Sequence, residues 1–229
     1  MMLHTFFFDE NIINKKFGNK QLLYFLLDDT YYVDKTKLVL TPGDILFHEG
    51  DMHAYVYIII SGFCRSSKQG HVIQFSGKNE VIGIGNVLGN EASSLTVTAI
   101  GKTIAWRFSK DQVMSKLMYT REGFLYLYQQ MRLCNNKLLQ KETILLENSK
   151  KRFVFILYHL GIAYGEVNRD CIKLPKIFTK KIIGNYLGIT ASHASYLCRQ
   201  LEKEDILEIN KNQIVIRKKH TASLDIFLL

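Results

Sequence analysis

Between Thr36 and Phe108 the apolar and β-branched residues come in short runs: Lys37–Leu40, Ile45–His48, Tyr55–Ile60, Phe63–Ser66, His71–Phe75, Leu95–Ala99 and Thr103–Phe108. Gly43, Gly50, Gly62 and Gly70 stand at the breaks, where glycine takes turn conformations cheaply. Short strands at roughly 8–12-residue spacing predict a sandwich or barrel. Ahead of them, Asn19 to Asp28 reads as a short apolar helix. After Phe108 the period lengthens. Ser109 with Gln112 three residues on matches a capping box and predicts a helix over Lys110–Met118. A longer helix runs from about Arg121 to Glu147. Its apolar residues Phe124, Leu127, Met131, Cys134, Leu138 and Leu145 recur in steps of 3, 4, 3, 4 and 7, a heptad seam broken at Lys141. Such a seam packs a helix on its own domain or pairs two copies of it. Its length, on a helix joining two domains, favours the homodimer.

Lys150–Tyr164 is a further helix, with Phe153, Ile156, Leu157 and Leu160 on one face and Gly165 at its end. Short strands are expected near Cys171–Leu174, then two helices with a tight junction, then a hairpin. Thr179 caps the first helix of the pair, which turns Ile182, Ile183 and Leu187 inward. Gly188 ends it in the left-handed conformation that helix C-termini favour. Ile189 plugs the corner. Thr190 caps the second helix, whose inner face is Ala194, Leu197 and Leu201. This is the arithmetic of a helix-turn-helix. The outer face carries Ala191, Ser192, His193, Ser195, Tyr196 and Arg199. These residues are small or hydrogen-bonding, which suits insertion into a major groove. Beyond it, Ile206–Ile209 and Gln213–Arg217 flank Asn210-Lys211-Asn212 as a hairpin wing, with Lys211, Arg217, Lys218 and Lys219 placed to meet phosphates. An ordinary helical corner with a solvated basic hairpin would share part of this pattern.

Composition narrows the picture. The 229 residues suffice for one large domain or two modest ones, and 47% are hydrophobic and 22% charged. Two prolines leave no Pro-rich linker. The apolar run Val56–Ile60 is far short of the ~20 residues a bilayer span needs. No basic segment precedes Phe6-Phe7-Phe8, so no signal peptide is expected. The expected location is the cytoplasm, with no membrane partner. Cys64, Cys134, Cys171 and Cys198 are widely spaced without a CxxC pair, so they read as reduced structural thiols rather than as a zinc or iron–sulfur site. The net charge of +9 is uneven: 16 basic against 14 acidic residues up to position 149, and 14 against 7 afterwards. That asymmetry suggests a polyanion-binding end, although many basic surfaces bind no nucleic acid.

Thr179, Gly184, Gly188 and Thr190, followed by Leu201-Glu202 and Ile206-Leu207, resemble the helix-turn-helix of the Crp/Fnr family. Thr41-Pro42-Gly43-Asp44-Ile45-Leu46-Phe47-His48-Glu49-Gly50-Asp51 is similar to that family's barrel-opening strand and turn, and Tyr55–Gly62 to its next strand and glycine. The resemblance covers about residues 36–219. It implies an α+β chain with an N-terminal β-barrel or jelly-roll sensor (1–110), a connecting and dimerisation helix (111–148) and a C-terminal winged helix-turn-helix (149–229). The implied function is sequence-specific, homodimeric transcription regulation on a pseudo-palindromic operator of double-stranded DNA. Thr179, Thr190, Ser192, His193, Ser195, Tyr196, Arg199, Lys211, Lys218 and Lys219 are the expected DNA-contacting residues.

Departures from the family refine this expectation. Nucleotide-binding members hold the ribose with a Gly-Glu-Leu turn and the cyclic phosphate with an Arg-Ser pair. The matching places here read Gly83-Ile84-Gly85 and Ser93-Ser94, and the purine-contacting pair on the long helix becomes Lys137-Leu138. A buried phosphate without a cationic partner costs several kcal/mol, so cyclic AMP is not the expected ligand. No cysteine precedes Cys64, which removes the family's N-terminal iron–sulfur cluster, and His48, His53 and His71 lack a haem-ligand pattern. No cofactor is expected. The chain resembles the branch without the nucleotide signature, the PrfA-like regulators. This implies a small-molecule effector such as glutathione, in a pocket between barrel and long helix that the architecture alone suggests, and RNA polymerase as a further contact; Cys64 and Lys68 lie in the barrel and Tyr128 and Lys137 on the long helix, but one cysteine does not mark a thiol site. The family's guanine-reading arginine is Ala191 here. A half-site unlike the common TGTGA type follows, richer in A and T. The effector is expected to act at a hinge near Asn148-Ser149. Two rival readings stay open: a ligand or redox sensor acting through protein partners, and a cupin-like enzyme, against which the absent HxH spacing around His48 and His53 argues. The sequence names neither the sign of regulation nor the target genes.

Overall fold

The computed structural model describes residues 10–85 and 91–218. Two short helices open it, α1 (Glu10–Phe17) and α2 (Asn19–Leu27). Eight strands follow: β1 (Lys35–Leu40), β2 (Ile45–Phe47), β3 (Tyr55–Ser61), β4 (Cys64–Lys68), β5 (His71–Ser76), β6 (Val81–Ile82), β7 (Thr96–Ala99) and β8 (Thr103–Ser109). They form two antiparallel sheets, in the orders β1-β8-β3-β6 and β2-β7-β4-β5. Among the described residues no strand pair joins the two sheets, so the expected barrel is an open two-sheet jelly roll. The run Tyr55–Ile60 explains the layering. Tyr57 and Ile59 point between the sheets and pack with Phe47, Cys64, Ile82, Val97 and Ala99. Val56 and Ile58 point outward under Leu22, Leu23 and Leu26 of α2 and under Val113 and Leu117 of α3 (Lys110–Tyr119). A strand buried on both faces reads as a continuous apolar run rather than an alternation. Each such fully buried side chain contributes about 1.5–3 kcal/mol.

The expected capping box does not form. Ser109 occupies the N-cap of α3 but makes no side-chain cap bond. Gln112 turns instead to Asp34: it accepts from the Asp34 backbone N–H and donates Nε2 to Asp34 Oδ2 at 2.9 Å. The acceptor made available by the fold is 78 residues away and outcompetes the local one.

The long helix α4 spans Gly123–Leu145. One side of it is covered by the two N-terminal helices. Ile13 and Phe17 of α1 pack on Leu125, and Phe17 meets Tyr126 edge-on with ring centroids 5.1 Å apart. Below this apolar contact runs an amide ladder. Gln129 and Gln130 are buried; Gln129 donates to Asn14, and Gln130 donates to Asn19 Oδ1 at 2.8 Å. Arg132 also donates to Asn14 Oδ1, at 2.9 Å. The amide donors of both glutamines find acceptors on α1 and α2, and these bonds favour this face of α4 looking inward. Nearby, buried Lys116 donates to the Asp28 carbonyl just past the end of α2, where cations are favoured.

The chain divides into two compact units, residues 1–136 and 137–229, and the division falls within α4. The second unit continues with α5 (Ser149–Tyr164), β9 (Glu166–Val167), β10 (Cys171–Lys173), α6 (Lys180–Leu187), α7 (Ala191–Lys203), β11 (Leu207–Asn210) and β12 (Gln213–Arg217). Its sheet has the order β11-β12-β10-β9, all antiparallel. Asn148 caps α5 by accepting from the Lys151 N–H at 3.0 Å. The face expected to be buried, Phe153, Ile156, Leu157 and Leu160, is buried. Among the described residues, no helix is long and apolar enough to cross a membrane.

Candidate nucleic-acid interface

The helix pair α6–α7 is built by local chemistry legible in the residues. Thr179 Oγ1 accepts from the Ile182 N–H at 3.3 Å and starts α6. Gly188 ends it with φ of 67°. The Gly188 N–H bonds to Asn185 O at 3.2 Å and the Ile189 N–H to Gly184 O at 2.9 Å, the paired bonds of a Schellman turn. Gly184 is needed for a second reason. A Cβ there would stand 3.0 Å from Ile189 O and 3.4 Å from the Ala194 Cβ, so any larger residue would push the corner and α7 apart by a few tenths of an ångström. Thr190 Oγ1 accepts from the His193 N–H at 3.1 Å and starts α7. Ala194, Leu197, Cys198 and Leu201 form the buried face of α7, facing Ile183, Tyr186 and Leu187 among the buried residues of α6. Ile182, expected inward, is only half-buried. Burial pushes the Cys198 thiol up to about 11 and the Tyr186 phenol up to about 12. Lys141, the residue that breaks the heptad, lies over the Tyr186 ring at 4.1 Å from its centroid.

The outer face of α7 carries the residues expected there. Ala191, Ser192, Tyr196 and Arg199 are exposed, and His193 and Ser195 are half-buried. No acidic side chain lies in the first turn, which leaves the positive end of the helix dipole open to a polyanion. The members of this face are not equally free. Ser195 Oγ donates to Ala191 O at 2.9 Å, so its proton is spent within the helix. The Tyr196 ring lies beside that of His193, with centroids 6.1 Å apart and planes 23° apart. The Tyr196 hydroxyl accepts from Gln200 Nε2 at 2.7 Å. Gln200 was not among the residues singled out in the sequence. Its position four residues after Tyr196, on the same helix face, is the signal that could have found it.

β11 and β12 form the expected hairpin. Lys211 and Asn212 at its tip have φ of 46° and 65°, the two positive angles of a type I′ turn. Lys211 is exposed at the tip, and Lys218 is half-buried at the end of β12 with its backbone N–H on Asp170 O. Arg217, expected to meet phosphate, is engaged within the wing. It pairs with Asp205 at 3.0 Å and with Glu208 at 3.0 Å, two acids contributed by the turn before β11 and by β11 itself. Lys219 lies outside the described residues.

On α4, Phe124, Met131 and Leu138 are seven residues apart and 60%, 48% and 41% exposed. Cys134 between them is exposed. Leu127 departs from the stripe and packs on the core beneath α2 and α3, and Leu145 is half-buried. Exposed Tyr128 and Leu139 lie along the same helix. Apolar residues at seven-residue spacing on an exposed helix face are the pattern by which helices pair.

The residues considered for an effector are less convergent. Cys64 is fully buried between the sheets and its thiol is pushed up to about 12 by burial, so it is no thiolate. Lys68 is exposed and lies 3.8 Å from Glu49. Ser93 is buried and donates to Leu95 O at 2.7 Å, and Ser94 is exposed. Among the described residues, no cluster of three or more His, Cys, Asp or Glu could hold a metal ion.

A family model described as the cyclic nucleotide-binding domain matches residues 37–119. The fumarate and nitrate reduction regulatory protein of Vibrio cholerae is 26% identical over 202 residues, covering 83% of this chain and 78% of that protein. Among solved structures, FixK2 from Bradyrhizobium japonicum superposes with a TM-score of 0.72 at 18% identity, covering 85% of this chain and 97% of FixK2. A transcriptional regulator of the CRP family from Thermus thermophilus superposes with a TM-score of 0.66 at 13% identity, covering 83% of this chain and 95% of that one.

Proposed function

We propose the following for this chain, which belongs to the Crp/Fnr family of transcription regulators: it acts as a cytoplasmic homodimer that reads a pseudo-palindromic operator. The observation that carries the reading is the capped α6–α7 pair, whose outer face is polar, exposed and free of acid in its first turn. Two chains pair along Phe124, Met131, Cys134 and Leu138. Their two α7 helices enter successive major grooves ~34 Å apart. Ser192, His193, Tyr196 and Arg199 face the bases, Thr179 and Thr190 hold the helix starts that meet phosphates, and Lys211 and Lys218 meet the backbone beside the groove. With Ala191 where an arginine would read guanine, the half-site differs from the TGTGA type.

The ligand of the sensor is not a cyclic nucleotide in this reading. Gly83-Ile84-Gly85 and Ser93-Ser94 supply neither carboxylate nor guanidinium at the matched places, and Ser93 is committed to Leu95. A small-molecule effector such as glutathione, and contact with RNA polymerase on the promoter, complete the proposal. The effector biases the spacing of the two reading helices by binding one arrangement better than the other.

A mobility shift on genomic promoter fragments across a salt series tests this. Replacing Tyr196 by Ala should relax base preference. Replacing Lys211 or Lys218 by Ala should weaken all sequences alike and flatten the salt slope. Indistinguishable effects of the two kinds of substitution would refute the division of roles. Absence of a salt-dependent shift would favour the rival reading, in which the winged helix binds a protein partner. Calorimetry with cyclic AMP and with glutathione tests the sensor, and heat with cyclic AMP would overturn that part.

A further inference from the structure

We propose that Gln200 sets the polarity of the Tyr196 hydroxyl, so that α7 demands a hydrogen-bond acceptor and rejects cytosine at the base Tyr196 faces. The inference rests on α7 being the groove-reading helix. It goes beyond that reading by naming what one position of the operator must present.

A phenol has one O–H to donate and an oxygen that accepts. At Tyr196 the accepting side is occupied, because Gln200 Nε2 donates to it at 2.7 Å. Two donors cannot share one hydrogen bond, so the phenolic proton points away from Gln200. The amide lies one turn further along α7, toward its C-terminus, while the ring of His193 flanks Tyr196 on the N-terminal side at 6.1 Å. The ring is bracketed on both sides along the helix, and 48% of the residue remains exposed outward. What α7 presents at this point is therefore an oriented O–H donor on a restrained aromatic plane.

The edges of the bases in the major groove sort cleanly against a donor. Guanine offers N7 and O6, adenine offers N7, and thymine offers O4, all acceptors. Cytosine offers only its N4 amino group, a donor. Tyr196 facing cytosine brings two donors together and leaves a desolvated O–H unpaired, which costs more than a missing contact. Two neighbours on the same face, Ser195 and Arg199, do not supply the same discrimination. Ser195 has its proton on Ala191 O, and Arg199 is a donor whose long side chain reaches base or phosphate alike.

The test uses the full-length dimer and a library of duplexes with a randomised central segment, selected by binding and sequenced. The wild-type chain is expected to yield one column per half-site in which cytosine is depleted by about tenfold, a modest share of what a good base contact supplies. Tyr196→Phe should keep the other columns and lose that depletion. Gln200→Glu reverses the pair: the carboxylate accepts the phenolic proton, the oxygen turns its lone pair to the base, and cytosine and adenine, with their amino donors, should become enriched there. Should the added charge abolish binding, Gln200→Leu decides, since it frees the hydroxyl to rotate and should reduce the depletion to about threefold or less. Depletion that survives Tyr196→Phe or Gln200→Leu unchanged overturns the proposal alone, as does a Gln200→Glu column identical to wild type. A wild-type dimer that enriches no sequence overturns the groove reading and this proposal with it.

Discussion

The pairing of two chains through α4 can be tested at Met131. Its side chain is 48% exposed at the middle of the seven-residue series Phe124, Met131, Leu138. Burying a whole methionine side chain contributes about 1.5–3 kcal/mol, so covering the exposed half contributes ~1 kcal/mol per chain. Across a two-fold axis the residue counts twice, ~2 kcal/mol. Met131→Lys removes this and sets like charges opposite each other, so the dimer dissociation constant should rise at least ~30-fold. The control is Met52→Lys. Met52 is 59% exposed in the turn between β2 and β3, away from the series, and the same change there should leave association untouched. Sedimentation velocity over a range of concentrations reads both. The reasoning fails if the Met131 variant associates as wild type does, or if the Met52 variant weakens the dimer equally.

Other expectations follow from the second unit and the buried thiols. Thr190→Ala removes the acceptor for the His193 N–H and should cost about 1 kcal/mol in chemical denaturation; Thr190→Ser should restore it. Arg217→Ala should leave the salt dependence of DNA binding unchanged and cost at most about 1 kcal/mol of stability, because its pairs with Asp205 and Glu208 are half-exposed. Lys211→Ala, by contrast, should lower the slope of log K against log salt by about 0.9. Cys64 and Cys198 have folded values of about 12 and about 11 against an ordinary 9.0. The unfolded chain therefore loses these protons first, and stability should fall as pH rises from 9 to about 11 for Cys198 and about 12 for Cys64, by up to about 1.4 kcal/mol per pH unit for each thiol. Urea midpoints at pH 8 and 10 should show that fall, reduced by about half in Cys64→Ala or Cys198→Ala.

The parts of the fold set by neighbours in sequence were legible, and those set by distant partners were not. Thr179, Gly188 and Thr190 act on residues within four positions, so the helix pair could be read from spacing. The stripe Phe124, Met131, Leu138 is periodic and was equally plain. Gln112 failed because Asp34, far away in the chain, is the better partner. Arg217 looked like a phosphate ligand because nothing nearby in sequence marks Asp205 and Glu208 as its partners across the wing. α1 carries Asn14, Lys15 and Lys16 beside its apolar residues; Ile13 and Phe17, docked on Leu125, and Asn14, bonded to Gln129 and Arg132, make it a packed helix. The strand Val81–Ile82 is two residues long and exists through its pairing with β3.

The amide ladder on α4 limits how a signal can travel along that helix. Gln129 and Gln130 are seated on Asn14 and Asn19, while Met131 begins the next exposed step of the stripe. Rolling the rod by a single residue, 100° of turn, would drag both glutamines out of their sockets and drive an apolar side chain into an amide cleft. These bonds hold its azimuth against α1 and α2, so tilting or flexing disturbs fewer contacts than rolling does.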